Sequence, residues 1–375
     1  MTQQTEESSL EHGFDDDLPL ERLEKILSLY PDPEEVTALL FQLRESDSVT
    51  DMKRGELYPE VIGGVTRLRR TIARVYELED MIQAQPNFSA NGCIDSFLAY
   101  IQRLELTDGR RSGFQVTTPT YFRYYAKIEA LRLRLLGIPF GPRFEYPLGE
   151  MLNAVKNGSP SCVFLVTPNN PTGMAIPDEY LYEILDAAPP DVNVAIDRTC
   201  ANVQPEVSTK SLLKKYPDKR IAVFHSFSKY YGMSHLRIGF TLFSNRDFAQ
   251  EVNRYLPFGL NLEAMLRATY ILASKGELKP SERILCYIRD NREAITSFLG
   301  QYDNYDCSDF VSNYAVLTLP KEISSQEFHR RLLAKGITVM GGHELPVPDE
   351  TTARIHTGGP PLFINRMLDT IKSWN

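Results

Sequence analysis

No run of about 18 apolar residues occurs in the 375-residue sequence, so no segment reads as a membrane-spanning helix. Residues 1–20 are polar and acidic, with no basic stretch leading into an apolar core, so they do not read as a secretory signal. Cysteine is sparse and scattered. Cys93, Cys162, Cys200, Cys286 and Cys307 form no CxxC pair, which argues against a disulfide framework or a zinc motif and fits a reducing cytoplasm. A basic excess is also missing: 41 Lys+Arg against 49 Asp+Glu leave a formal net charge of −8, which disfavours a general nucleic-acid binder. No GxGxxG follows an early strand, which speaks against a nicotinamide dehydrogenase. Internal repeats and low-complexity tracts are absent. What remains reads as a soluble, cytoplasmic chain that handles small molecules. Its length favours one large domain plus a smaller one.

Residues 1–17 read as a flexible arm. Leu20, Leu23, Ile26, Leu27 and Tyr30 then recur at helical spacing, and Pro31 and Pro33 separate this helix from a second one reaching about Leu43. A third helical pattern runs from Val65 to Tyr76, with Leu68, Ile72 and Val75 on one face. From about residue 112 short apolar runs alternate with helix-like segments: Phe114–Thr117, Arg132–Leu136, Cys162–Thr167, Val192–Ile196, Ile221–Phe224 and Ile238–Phe243. This alternation predicts an α/β fold with a mostly parallel sheet between helical layers. After about residue 261 a long helix leads into a smaller α+β unit. Asn313–Leu319 and Arg354–Thr357 read as strands there, and Gln326–Lys335 as a helix. The expected division is residues 1–17, 18–45, 46–268 and 269–375.

Four segments carry chemistry. Thr167-Pro168-Asn169-Asn170-Pro171-Thr172-Gly173 follows a strand directly. It reads either as a tight turn or as a place where an Asn faces a ligand from a strand's carboxyl end. In Ala195-Ile196-Asp197-Arg198-Thr199-Cys200 an Asp closes an apolar strand, either as a cap or as the partner of a cationic ring nitrogen. In the segment from His225 through Ser226, Ser228 and Lys229 to Arg237 and Gly239, two hydroxyls and an Arg can supply donors to a phosphate. The lysine among them can form an imine with an aldehyde. Arg354, set in a β-branched strand, requires either a structural ion pair or a bidentate carboxylate.

In this order the segments resemble the class I/II aminotransferase family, fold type I of the pyridoxal-phosphate enzymes, and in flavour its histidinol-phosphate aminotransferase branch. The resemblance covers roughly residues 55–375. It implies an α/β/α large domain over 46–268 that binds pyridoxal 5′-phosphate, and a small domain over 269–375 that also takes in helices from 18–45. It implies that Lys229 bonds the coenzyme and acts as general base, and that Asp197 holds the pyridine nitrogen protonated. Asn170 would donate to the ring oxygen O3′. Ser226, Ser228 and Arg237 would cup the phosphate, and Arg354 would clamp the substrate α-carboxylate. Tyr121, in Pro119-Thr120-Tyr121, matches the stacking aromatic. The segment Asn91-Gly92-Cys93-Ile94 matches a helix N-terminus that holds phosphate, with Gly92, Cys93 and Ile94 as its binding residues. Tyr58 matches a residue reaching the other subunit's coenzyme, which implies a homodimer. No metal is implied.

Two departures bear on the reaction. The family's Tyr that also bonds O3′ is replaced by Cys200, whose thiol is a weak and short donor. A small residue near the phosphate Arg is replaced by His235. Amino transfer from an L-amino acid is the leading expectation. The alternatives are a specialised elimination, cyclisation, decarboxylation or oxidation of a cationic amino acid, with Glu11, Asp15, Asp16 and Asp17 as possible readers of the cationic tail, or a non-catalytic binding protein on the same fold.

Overall fold

The computed structural model describes residues 59–108, 113–157, 160–256, 260–345 and 349–374. The expected arm, the first two helices and Tyr58 lie outside them.

The first described element is α1, Pro59–Tyr76. Its period-3.6 pattern buries Leu68, Ile72 and Tyr76 and leaves Arg70 and Arg74 in solvent. Then come β1 (Ala84–Asn87), α2 (Ala90–Asp108), β2 (Phe114–Thr118), α3 (Phe122–Ala130), β3 (Leu135–Pro139), α4 (Leu148–Asn157) and β4 (Cys162–Val166). They are followed by α5 (Asp178–Ala187), β5 (Asn193–Arg198), α6 (Thr209–Lys215), β6 (Arg220–Ser226), the single turn α7 (Phe227–Tyr230), β7 (Gly239–Phe243) and α8 (Arg246–Asn253). The seven strands form one sheet in the order β1-β7-β6-β5-β4-β2-β3. Four of its six pairings are parallel, and β7 runs antiparallel to both neighbours.

The inner strands are apolar throughout because both faces are covered. In β4, Val163 and Leu165 face a cluster with Leu68, Ile72 and Leu181, while Cys162, Phe164 and Val166 face one with Phe97, Leu98, Tyr124 and Phe248. Helices therefore pack on both sides of the sheet, giving the three-layer fold-type-I architecture that the sequence implied.

The strand boundaries differ from the sequence reading at two places. β3 starts three residues later than expected, because Arg132 takes a positive φ of 55° and ends the turn after α3. β1 escaped notice altogether. Its sequence Ala-Gln-Pro-Asn has no β-branched residue, and its Pro86 is tolerated because the strand pairs on one side only.

The remaining elements are α9 (Leu262–Lys275), α10 (Glu282–Leu299), β8 (Asp306–Cys307), β9 (Tyr314–Thr318), α11 (Ser325–Leu333), β10 (Met340–Gly341), β11 (Thr352–His356) and α12 (Pro361–Lys372). Their strands form an antiparallel sheet in the order β10-β11-β9-β8. This sheet is tied to the first at one edge. The Ala201 amide donates to Asn313 Oδ1 (2.7 Å), and Val311 N donates to Gly173 O (2.9 Å). Gly173, at φ +72°, lies so close to the Tyr314 carbonyl that no side chain fits there. Among the described residues no helix is long and apolar enough to cross a membrane.

Candidate active site

The carboxyl ends of β2, β4, β5 and β6 open onto a cavity of about 330 Å³, where parallel sheets ordinarily bind ligands. Its wall contains Tyr121, Asn170, Asp197, Cys200, Ser226, Ser228, Lys229 and Arg237. Residues from four separate sequence segments thus meet at one place.

Asp197 forms the cavity's floor at the end of β5. It is buried, and its two oxygens take different donors: Thr199 N–H to Oδ1 at 2.9 Å, and the Tyr124 hydroxyl to Oδ2. Burial pushes its pKa upward, while the donors from Tyr124 and Thr199 pull it back. Both donors are neutral, and among the described residues no cation bonds the carboxylate directly, Lys127 acting on it only at longer range while paired with Asp95.

The opposite end suits an anion. Ser226 caps α7, its Oγ accepting from Ser228 N at 3.1 Å, which leaves its own hydroxyl proton to donate. Ser228 Oγ is buried and has no hydrogen-bond partner among the described residues. The N-terminus of α2 brings Ser89, Ala90, Asn91 and Ile94 to the same wall. Its approach depends on Gly239, where an added Cβ would stand 2.7 Å from Ala90 N and from the His225 carbonyl. The expected helix-end residues shift accordingly. Cys93 is buried away from the cavity, and its N–H is already spent on Ser89 O at 3.1 Å; Gly92 packs against Asn87. Of the expected segment Asn91 and Ile94 line the wall while Gly92 and Cys93 do not, and Ala90, in the first turn, joins them.

Asn169 and Asn170 separate cleanly. Asn169 is held inside its turn by Pro119, Thr120 and Thr172. Asn170 faces the cavity, and its Oδ1 accepts from Arg354 Nη1 at 3.1 Å. Arg354 arrives from β11 of the second sheet and lies 4.8 Å over the Tyr314 ring, with Lys229 Nζ 5.2 Å from the same ring. Arg354 has no carboxylate partner among its described contacts, so the structural ion-pair reading of this residue loses its support. Tyr121 meets Tyr124 edge-on at 5.3 Å. Burial and the nearby Asp197 push the Cys200 thiol up to about 12, so it stays neutral. His235 is exposed and lies outside the cavity wall.

Tyr124 and Tyr314 were not found by sequence reasoning. Tyr124 lies three residues past Tyr121 at the start of a helix, where an aromatic reads as core. Tyr314 opens a strand whose alternation explains it without a ligand.

The residues present fit pyridoxal 5′-phosphate. Among the described residues, a buried carboxylate with no cation bonded to it faces one end, an unpartnered buried hydroxyl and a helix N-terminus face the other, and a lysine stands between. Comparisons with known proteins agree. A family model described as aminotransferase class I and II matches residues 35–371. Histidinol-phosphate aminotransferase of Brevibacillus brevis is 27% identical over 297 residues, covering 78% of this chain and 76% of that protein. The histidinol-phosphate aminotransferase structure from Clostridium acetobutylicum superposes with a TM-score of 0.72 at 18% identity, over 90% of this chain and 95% of that one. The Sinorhizobium meliloti enzyme of that name, solved with pyridoxal 5′-phosphate, gives 0.70 at 20% identity, over 98% of this chain and 100% of its own. With nearly its whole length matched, this chain belongs to the aminotransferase class I and II family and is a pyridoxal-phosphate-dependent enzyme.

Proposed function

We propose that the chain moves an amino group from an L-amino acid to a 2-oxo acid, with Lys229 as the coenzyme-bearing residue and proton carrier. The convergence of Lys229, Asp197 and Asn170 on one cavity, with Arg354 bonded to Asn170, carries this reading. Pyridoxal phosphate, when bound, supplies an aldehyde for the amino group and a protonated ring that takes up the electrons of the broken Cα bond.

The protein supplies the rest. Asp197, desolvated and fixed by Tyr124 and Thr199, holds a proton on the ring nitrogen. Asn170 gives its oxygen to Arg354, so its amide N–H₂ is the group left to donate to O3′. Arg354 keeps the remaining arm of its guanidinium for the donor's α-carboxylate, which sets which Cα bond stands across the ring. Lys229 Nζ would take the Cα proton and return it two atoms away, at the carbon on the far side of the transferred nitrogen. Tyr314 lies under the Arg354 guanidinium, which its ring face supports, and its ring centroid is 5.2 Å from Lys229 Nζ. Ser226, Ser228, Arg237 and the first amides of α2 hold the phosphate, and Tyr121 covers the ring. Cys200 contributes a neutral contact where relatives of this fold carry a phenol, leaving Asn170 as the principal O3′ donor.

Residues 46–268 form the coenzyme domain in this reading and 269–375 the smaller one. Two chains pair so that Tyr58 completes the partner's phosphate site, and the enzyme works in the cytoplasm. The test is a screen of holoprotein with L-amino acids and with histidinol phosphate, each with and without a 2-oxo acid. Stoichiometric appearance of the new amino acid supports the proposal. Carbon dioxide, ammonia or peroxide as the main product without amino transfer contradicts it.

A further inference from the structure

We propose that His329, His343 and Glu344 form a binding site for a divalent transition ion of the zinc class, fastening α11 to the turn after β10. The inference is independent of the aminotransferase reading.

The three side chains present ligand atoms that all lie within 4.8 Å of one another. His329 Nδ1 stands 3.1 Å from Glu344 Oε2. Two ligands each about 2.1 Å from a tetrahedral zinc ion lie about 3.4 Å apart, so this pair needs almost no movement to share an ion. The two imidazole rings face one another at 6.1 Å between centroids.

The surroundings are arranged as ligand supports. Ser325 Oγ receives the His343 backbone N–H at 3.1 Å, lies 2.8 Å from His343 Nδ1, and is 3.1 Å from Glu350 Oε2. An ionised carboxylate only accepts, so the serine proton goes to Glu350. Ser325 Oγ must therefore accept from His343 Nδ1–H, which leaves the lone pair on His343 Nε2. This serine–carboxylate relay fixes a histidine tautomer in the way outer partners of metal-bound histidines do. Glu344 is oriented in turn by the Gly341 amide, which donates to Oε2 at 2.8 Å. Gly341 has a second part: an added Cβ would overlap the His343 ring. Two imidazoles and one carboxylate leave a fourth position for water, the ligand set and count that zinc accepts and that calcium or magnesium does not favour.

The ion would clamp two successive elements of the second sheet's layer to each other. His329 is on α11, and His343 and Glu344 follow β10, whose Met340 pairs with Arg354 on β11. Binding should therefore stabilise the sheet that presents Arg354.

The test is calorimetric titration of Zn²⁺ into chelator-treated holoenzyme, with elemental analysis after dialysis and Mg²⁺ and Ca²⁺ as comparisons. One zinc per chain is expected, with a rise in Tm. His329→Gln and His343→Gln should each weaken binding at least tenfold and abolish the Tm rise. Ser325→Ala, which keeps all three ligands, should weaken it about 10–100-fold. Far-UV circular dichroism should match wild type for His329→Gln and His343→Gln, whose side chains are only partly buried, so these two variants decide the proposal should the buried Ser325→Ala lose stability. Absence of stoichiometric zinc, zinc uptake unaffected by all three substitutions, or preferential uptake of Mg²⁺ or Ca²⁺ would overturn the proposal.

Discussion

The Tyr124 hydroxyl and the Asp197 carboxylate form the contact on which the electronics of the site turn. Burial raises the Asp197 pKa, and the Tyr124 donor lowers it. Tyr124→Phe removes a lowering influence, so the carboxylate takes up its proton at higher pH. The acidic limb of the kcat profile is expected to move upward in pH; an unmoved limb would remove Tyr124 from the account. Arg354 offers a second test. Arg354→Lys keeps the charge but loses the two-pronged grip on a carboxylate. Loss of one charge-assisted hydrogen bond costs about 1.5–3 kcal/mol, so KM for the amino donor should rise roughly 10–150-fold with a smaller change in kcat. Steady-state kinetics with a single donor decides this.

At the scale of elements, the site exists because one helix start comes abnormally close to two strands. Gly239→Ala would place a methyl group 2.7 Å from Ala90 N, so α2 must retreat or the strands must part. Overpacking of this kind costs about 1–3 kcal/mol of stability. The retreat also withdraws amides from the phosphate, so coenzyme affinity should fall at least tenfold by equilibrium dialysis.

The same elements show what the sequence made legible. Cys162–Val166 read as a buried strand because every residue is apolar, and Asn170, Asp197 and Lys229 stood out because their segments occur together and in order, although each alone also reads as a turn, a cap or a solvated lysine. β1 was invisible because an edge strand next to a single partner needs no β-propensity. That Ala90 joins Asn91 and Ile94 at the wall while Gly92 and Cys93 do not was invisible for another reason: which residues a helix end presents depends on where its first turn closes. Tyr124 and Tyr314 were hidden because a buried aromatic with a functional hydroxyl or ring face carries the same pattern as core.

At the scale of the molecule, the buried His225 links folding to pH. Burial, aided by Arg198, lowers its pKa to about 3, and its Nε2 lies 3.1 Å from Thr209 Oγ1. A depressed folded-state value means that its contribution is complete above the unfolded pKa near 6.5 and is lost as pH falls toward 3. At pH 5 the unfolded chain has already gained about 2 kcal/mol from this one group. In His225→Gln the fall in thermal stability between pH 7 and 5 should be shallower than in wild type; equal slopes would contradict the assignment.

The two sheets meet where Arg354 and Tyr314 reach Asn170 and Lys229, so in the proposed reaction the coenzyme-bearing lysine and the substrate-gripping arginine come from different sheets. All of it presupposes that the coenzyme is bonded at one lysine. The direct measurement is borohydride reduction of the holoprotein followed by proteolysis and mass mapping. The account predicts a single pyridoxyl-modified peptide, with the label on Lys229. A label on any other lysine, or none, would contradict it.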